Sequence, residues 1–241
     1  MKHHPSILFE NSELIAVNKP SGWLSIPDRH DEEIPSVRNW LEKLYPHIFV
    51  IHRIDRDTSG LLLFAKNDQA HKYYNQLFEQ RAVKKIYLGL VMGAVMQEEG
   101  TIEAPIEQHP AIPGRMRIGK NGKPSVTHFK VIERLRGFTW MEFDLETGRT
   151  HQIRVHMKHL EHPLVCDPLY VSAEPVLLSS FKKKFKLSKD AATEKPLLDR
   201  LALHASSIQL KGMDGKELTL EAPLPKDLQV AMIQMRKFAK G

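Results

Sequence analysis

Nine residues rich in charge and hydroxyls run without a break into an apolar segment. They are His52-Arg53-Ile54-Asp55-Arg56-Asp57-Thr58-Ser59-Gly60, followed by Leu61 to Lys66. A continuous apolar run of that length, entered through a glycine, reads as a buried strand. The chain must therefore carry a highly charged loop directly against its core, which an ordinary surface connection does not require. Asp55 is flanked by Arg53 and Arg56, so carboxylate chemistry there would take place in a cationic setting. That setting suits an anionic substrate.

The rest of the pattern sets the fold class. Ile7 to Phe9 and Leu14 to Asn18 read as short strands, and Lys84 to Met92 and Phe138 to Leu145 as longer ones. Ser36 to Leu44 reads as a helix, with Pro35 at its start and Pro46 beyond its end. Asn67 or Asp68 caps a second helix through Arg81, with Tyr74, Leu77 and Phe78 on one face. Asn121-Gly122 lies between Arg115–Ile118 and Val126–Val131, and Asp214-Gly215 between Ile208–Leu210 and Leu218–Leu220. Both dipeptides suit two-residue hairpin turns. Gly148 to Leu160 reads as a helix capped by Thr150, with His151, Arg154 and Lys158 on its exposed face and Ile153, Met157 and Leu160 on the other. Asp227 to Lys240 reads as a last helix. Strands outnumber helices and are mostly hairpin-linked, which predicts an α+β fold on a mixed, mainly antiparallel sheet with flanking helices.

Length and composition add limits. The 241 residues suffice for one large domain or two small ones, and 41% hydrophobic content supplies a core. The formal charge of +6 is compatible with a polyanionic partner but does not demand one. The single cysteine, Cys166, rules out an intrachain disulfide and a multi-cysteine zinc site, and fits a reducing compartment. The apolar residues after Met1-Lys2-His3-His4-Pro5 are too few for a signal peptide, and no run approaches the ~18 residues that span a bilayer. The expectation is a cytoplasmic protein. Val176 to Pro196, with Phe181-Lys182-Lys183-Lys184-Phe185-Lys186, looks like a basic insertion that stands apart from the core. Its lysines suit either phosphate contacts or a solvated amphipathic helix.

Four segments concentrate reactive and polar side chains. Asn18-Lys19-Pro20-Ser21-Gly22, His52-Arg53-Ile54-Asp55 with Thr58-Ser59-Gly60, Gly148-Arg149-Thr150-His151-Gln152-Ile153-Arg154-Val155-His156, and Leu203-His204-Ala205 follow one another along the chain. In that order and spacing they resemble the successive motifs of the RluA family of RNA pseudouridine synthases. The resemblance runs from about residue 7 to 228. It implies a single catalytic domain over 1–241, with the pseudouridine synthase fold and a central cleft. The small RNA-binding domain that many relatives carry ahead of the catalytic one is expected to be absent.

The resemblance also implies a reaction. Uridine in RNA is isomerised to pseudouridine: the C1′–N1 bond breaks, the base turns, and C5 joins C1′, with no metal or cofactor. Asp55 matches the family aspartate, acting either as a nucleophile at C1′ or as a base at C2′. Both roles use a carboxylate, which is ionised at neutral pH. Arg154 matches the arginine that pairs with that aspartate, as a guanidinium can do bidentately. Tyr87, after Lys84-Lys85-Ile86, matches the tyrosine that stacks on the target base. Its hydroxyl is a poor base unless perturbed. The uridine must be extruded from its stack, and Arg53 is expected to fill the vacated place, the other reading of it being a phosphate contact or a local salt bridge to Asp57. Arg56 and His151 are further expected RNA contacts. His52, Thr58 and Ser59 read as framework, Gly60 as a special backbone angle or close approach, Lys19 and Pro20 as structural, and Asp57 as structural. Cys166-Asp167 stands where the family usually has Gly-Asp, which puts the local turn in question.

Three rival readings fit the residues less well. His151, His156, His159 and His162 cluster in sequence, but their spacings do not share a helical face and no His-Glu-x-x-His pattern occurs, which argues against a metal hydrolase. His52-Arg53 lacks the companion motifs of a protein kinase. A non-catalytic RNA-binding module of the same fold is the serious alternative, and intact Asp55, Tyr87 and Arg154 argue against it. The expected partner is RNA, ribosomal or transfer, with the ribosomal kind favoured. The protein is expected to act as a monomer.

Overall fold

A computed structural model describes residues 4–29, 31, 33–182, 184–187 and 193–239. In chain order the elements are β1 (Ser6–Glu10), β2 (Leu14–Lys19), α1 (Val37–Glu42), β3 (Phe49–Val50), β4 (Ser59–Ala65), α2 (Asp68–Glu79), β5 (Lys84–Met92) and β6 (Glu99–Glu103). There follow β7 (Ile106–Gln108), β8 (Met116–Ile118), β9 (Val126–Leu135), β10 (Phe138–Leu145), α3 (Gln152–His159), β11 (Leu203–Lys211), β12 (Glu217–Glu221) and α4 (Lys226–Phe238). Strands dominate and helices flank them, as an α+β fold requires. The chain forms two compact units, one of residues 1–87, 144–147 and 203–223, the other of 88–143, 148–202 and 224–241.

In the first unit β4 is the central strand. It pairs antiparallel with β2 and parallel with β11, while β1 extends β2 and β12 extends β11, both antiparallel. Every residue of β4 is buried, which explains its unbroken apolar sequence. Alternate side chains serve opposite faces. Leu61 and Leu63 join Leu14 and Ala16 in a cluster with Ala70, Tyr74, Leu77 and Phe78 of α2. Leu62 and Phe64 join Ile15 and Val17 in a second cluster with Val37 and Leu41 of α1. Each such side chain contributes about 1.5–3 kcal/mol by leaving water. Asn67 caps α2, its Oδ1 accepting from the Ala70 N–H at 2.9 Å. The helix ends in a Schellman turn: Arg81 adopts φ 58, and Ala82 N–H reaches back to the Leu77 carbonyl at 2.9 Å.

The second unit holds α4, whose Leu228, Ala231, Met232 and Met235 pack on Leu90, Leu135, Trp140 and Val165. Here β9 pairs antiparallel with β6, and β7 with β8. The expected hairpin at Asn121-Gly122 is therefore not formed, because β8 turns back to β7 and leaves β9 to β6. Gly119 to Gly122 makes a local turn instead, closed by Gly122 N–H to the Gly119 carbonyl at 2.9 Å. A Cβ on Gly122 would lie 2.6 Å from the Ile106 carbonyl carbon, so glycine serves close approach there. The other hairpin, β11 to β12, is present with a longer loop. Gly215 has φ 82, and Gly212 and Lys216 close the turn at 2.8 Å.

The basic insertion does not stand apart at its ends. Val176 and Leu198 are buried in the α4 cluster and bridge one another, and Phe181 packs against it. Lys182 Nζ sits 5.2 Å from the centre of the Phe238 ring. The described part of the Lys182–Lys189 segment is not an amphipathic helix, the nearest helical piece being a single 3₁₀ turn, Leu178–Ser180. Lys183 and Lys189 lie outside the described residues. Among those described, no helix is long and apolar enough to cross a membrane.

Candidate functional site

The charged loop ahead of β4 is held by its backbone. The Lys19 ammonium, fully buried at the end of β2, donates to the carbonyls of Arg56 at 2.8 Å, Trp23 at 2.7 Å and Pro20 at 3.1 Å. Gly22 N–H also reaches the Arg56 carbonyl, at 2.9 Å. Ser21 Oγ donates to the Asp57 carbonyl at 2.7 Å. Ser25 Oγ donates to the Ile54 carbonyl at 2.8 Å and accepts from the Ile54 N–H at 3.1 Å. Thr58 N–H closes a turn on the Asp55 carbonyl at 3.2 Å, with Asp55 at its first position. The segment from Lys19 to Ser25 thus grips Ile54, Arg56 and Asp57 and sets the direction in which Asp55 leaves the chain.

The framework residues divide as the sequence suggests. His52 Nε2 accepts from the Leu63 N–H at 3.1 Å, and its ring stacks on Phe78 with centres 4.9 Å apart. Burial, helped by the Lys85 charge, depresses its pKa to about 3, so it stays neutral and keeps that acceptor. Ser59 Oγ meets His204 Nδ1 at 3.0 Å, and His204 Nε2 lies 3.2 Å from the Ala222 carbonyl. Gly60 pairs with Ala205 at φ 115, and a Cβ there would stand 2.2 Å from the Ala205 carbonyl oxygen. The expected special angle and close approach both occur at Gly60.

Asp55 is half-buried, whereas Arg53 and Arg56 are exposed. Arg56 Nε donates to Asp57 Oδ1 at 3.2 Å, so the local salt bridge to Asp57 is made by Arg56 and not by Arg53. Arg53 has no hydrogen bond or ion pair among the described residues. Tyr87 is half-buried on β5, and burial followed by the Asp55 charge pushes its pKa well above the usual phenol value. The two expected residues are therefore close enough to sense one another. The direction of the shift keeps the hydroxyl protonated, which does not suit a general base.

Arg154 corrects the reading of α3. It is 1% exposed, not on a solvent face. Its Nε and Nη2 hold Asp167 Oδ2 and Oδ1 at 2.8 and 2.7 Å, a bidentate pair inside the protein. Its guanidinium lies 5.2 Å from the centre of the Tyr170 ring. Thr150 is not the cap: His151 takes that place at φ 55 without a side-chain cap bond, and its Nδ1 meets Tyr170 Oη at 2.9 Å. Three of the four histidines that cluster in sequence, His151, His156 and His162, have separate partners. His156 bonds to Thr127 Oγ1 and the Ala104 carbonyl, and His162 to the Met92 carbonyl. Among the described residues, no group of three or more His, Cys, Asp or Glu side chains could hold a metal ion.

Asp167 and Tyr170, the partners of Arg154, are not among the site residues the sequence singles out. A signal was present: Asp167 is a lone charge in the run Leu164-Val165-Cys166-Asp167-Pro168-Leu169-Tyr170, and a charge amid buried residues needs a buried partner. Cys166, where a glycine was expected, adopts φ 55 and is buried, with Sγ 3.3 Å from the Glu174 carbonyl. The turn that carries Asp167 is thus made with a cysteine in the left-handed region.

Comparison with known proteins shows the family. The sequence profile described as RNA pseudouridylate synthase matches residues 13–159. The chain is 37% identical over 238 residues to "Ribosomal large subunit pseudouridine synthase D" of Nitrosomonas europaea, covering 96% of this chain and 65% of that one. It is 34% identical over 245 residues to the protein of the same name from Escherichia coli strain K12, covering 96% and 70%. The chain thus spans about two thirds of the length of these relatives. The solved structure of "Human RNA Pseudouridylate Synthase Domain Containing 1" superimposes with a TM-score of 0.69 at 25% identity, covering 99% of this chain and 97% of that one. "Human RNA Pseudouridylate Synthase Domain Containing 4" shares the fold, with a TM-score of 0.71 at 23% identity.

Proposed function

Because this chain belongs to the RNA pseudouridylate synthase family, we propose that it isomerises a uridine of large-subunit ribosomal RNA, with Asp55 as the group that acts at the ribose. The choice of RNA follows the relatives' names. The observation that carries the assignment of Asp55 is its place, half-buried between exposed Arg53 and Arg56, on a loop whose backbone is fixed by Lys19, Ser21 and Ser25.

The reaction is a rearrangement of one nucleotide. The C1′–N1 bond breaks, C1′ joins C5, and the C5 proton is lost as N1 gains one, so it is balanced without an oxidant or reductant. Asp55 serves as nucleophile at C1′ or base at C2′. Tyr87 offers its ring to the base and keeps its proton. Arg154, aimed by Asp167, is the cation proposed to serve the Asp55 carboxylate. Extruding the uridine costs a few kcal/mol. Arg53, exposed and uncommitted, is proposed to fill the vacated place. Arg56 and His151, each already bonded within the protein, are proposed as phosphate contacts. The protein is proposed to act as a monomer in the cytoplasm, as one catalytic domain.

The test is to map pseudouridines in ribosomal and transfer RNA from cells with the gene deleted and then supplied with wild type or Asp55→Asn. A site lost on deletion and restored only by wild type is expected. Restoration by Asp55→Asn would refute the role of Asp55. A map unchanged by the deletion would refute the activity and favour an RNA-binding module.

A further inference from the structure

Tyr170 ends the apolar run that carries Asp167, and it is 4% exposed. Its ring packs with Ile106 and Val155, with Met116 and Ile118 alongside. A phenylalanine would serve that packing equally well. The hydroxyl does something else: it accepts from the Met116 N–H at 2.9 Å and meets His151 Nδ1 at 2.9 Å. Those partners belong to β8 and to the left-handed turn into α3, so one buried oxygen fixes two separate backbone elements.

The ring faces also have occupants. The guanidinium carbons of Arg154 and Arg115 lie 5.2 and 5.4 Å from its centre, within the range of a cation–π contact. Asp167 binds Arg154 along one edge, through Nε and Nη2. The bidentate pair fixes that edge, and the aromatic ring alongside packs against the guanidinium plane. Arg115 immediately precedes Met116, so the hydroxyl holds the backbone at the point where this second cation leaves it. Arg115, Arg117 and Lys158 line a cleft of about 280 Å³ beside the ring.

We propose that Tyr170 is a positioning residue with two separable tasks: its ring aims Arg154, and its hydroxyl sets the β7–β8 arm so that Arg115 meets the RNA backbone. The inference rests on the proposed function and deepens it. The hydroxyl then governs capture of RNA, and the ring governs the rate once RNA is bound.

The experiment uses an in vitro transcript of the ribosomal RNA segment whose uridine the pseudouridine map identifies, with wild type, Tyr170→Phe and Tyr170→Leu. Tyr170→Phe keeps the ring, and its KM is expected to rise about tenfold, the usual worth of a lost hydrogen bond, with the single-turnover rate at saturating RNA within about twofold of wild type. Tyr170→Leu removes the ring, and that rate is expected to fall at least about tenfold. If the ring works through Arg154, the same change made beside Arg154→Lys lowers the rate by clearly less than it does alone. An unchanged KM for Tyr170→Phe, an unchanged rate for Tyr170→Leu, or full additivity with Arg154→Lys overturns the proposal. Where Tyr170→Leu does not fold, as judged by circular dichroism, Tyr170→Met replaces it as the test of the ring, and Tyr170→Phe still decides the hydroxyl. A wild type that modifies the transcript, beside an inactive Asp55→Asn, upholds the proposed function whatever Tyr170 does, so the two failures are told apart.

Discussion

The Lys19 ammonium lies 2.8 Å from the Arg56 carbonyl, so a fully buried cation of β2 holds the turn that begins at Asp55. Lys19→Met keeps the stem and removes the charge. It leaves the carbonyls of Pro20, Trp23 and Arg56 without that donor. The expected loss of stability is about 2–4 kcal/mol, measured by urea denaturation. Pseudouridine formation is expected to fall further than folding alone explains, at temperatures where the variant is still native.

Gly60→Ala tests the parallel seam between β4 and β11. The new Cβ would meet a backbone carbonyl at 2.2 Å, at φ 115, and neither strand can yield without breaking the sheet. A loss of about 3 kcal/mol or more is expected, or failure to fold. A variant with the melting temperature of wild type would refute this.

His52 makes stability depend on pH. Its folded pKa, about 3, lies below the unfolded value near 6.5, because burial first and Lys85 second disfavour the cation. The unfolded chain therefore binds the proton more readily. The contribution is fully present above pH 6.5 and is lost as pH falls from there toward 3, with a slope of at most about 1.4 kcal/mol per pH unit. His52→Asn should flatten this part of the curve in denaturation series at stepped pH. Burial also lowers the pKa of His156, which adds a slope of the same sign that the variant retains.

Tyr87→Phe separates ring from hydroxyl. Burial and the Asp55 charge keep the phenol protonated beyond its ordinary range. An alkaline limb in the rate profile near pH 10 should therefore be unaltered by Tyr87→Phe, as followed by tritium release from C5-labelled RNA. A limb that vanishes with the substitution would show that the hydroxyl titrates in turnover.

Much of this was legible in the chain. Runs such as Leu61 to Lys66 announce strands because a fully buried strand admits no polar alternation. The residues around Asp55 mark a candidate site because so much charge is rarely placed directly against a core. What was hidden depends on partners outside the local motif. Asn121-Gly122 looked like a hairpin because the dipeptide is a local signal, but β8 has another partner equally near in sequence, β7, and pairs with it. Arg154 was placed on a solvent face because a helical wheel assigns charge to water. Asp167, thirteen residues later, reverses that assignment by pairing with it inside the protein. The insertion looked detached because its lysines outweighed Val176 and Phe181, whose packing only the fold reveals.

The bonds from Lys19, Ser21, Gly22 and Ser25 reach main-chain atoms of residues 54, 56 and 57. A main-chain grip is indifferent to the side chains it carries. The loop therefore works as a socket in which the groups at 53 and 56 can be exchanged without reshaping the turn. Under the roles proposed for Arg53, Arg56 and Asp55, RNA preference can drift there by single substitutions while the Asp55 backbone stays put.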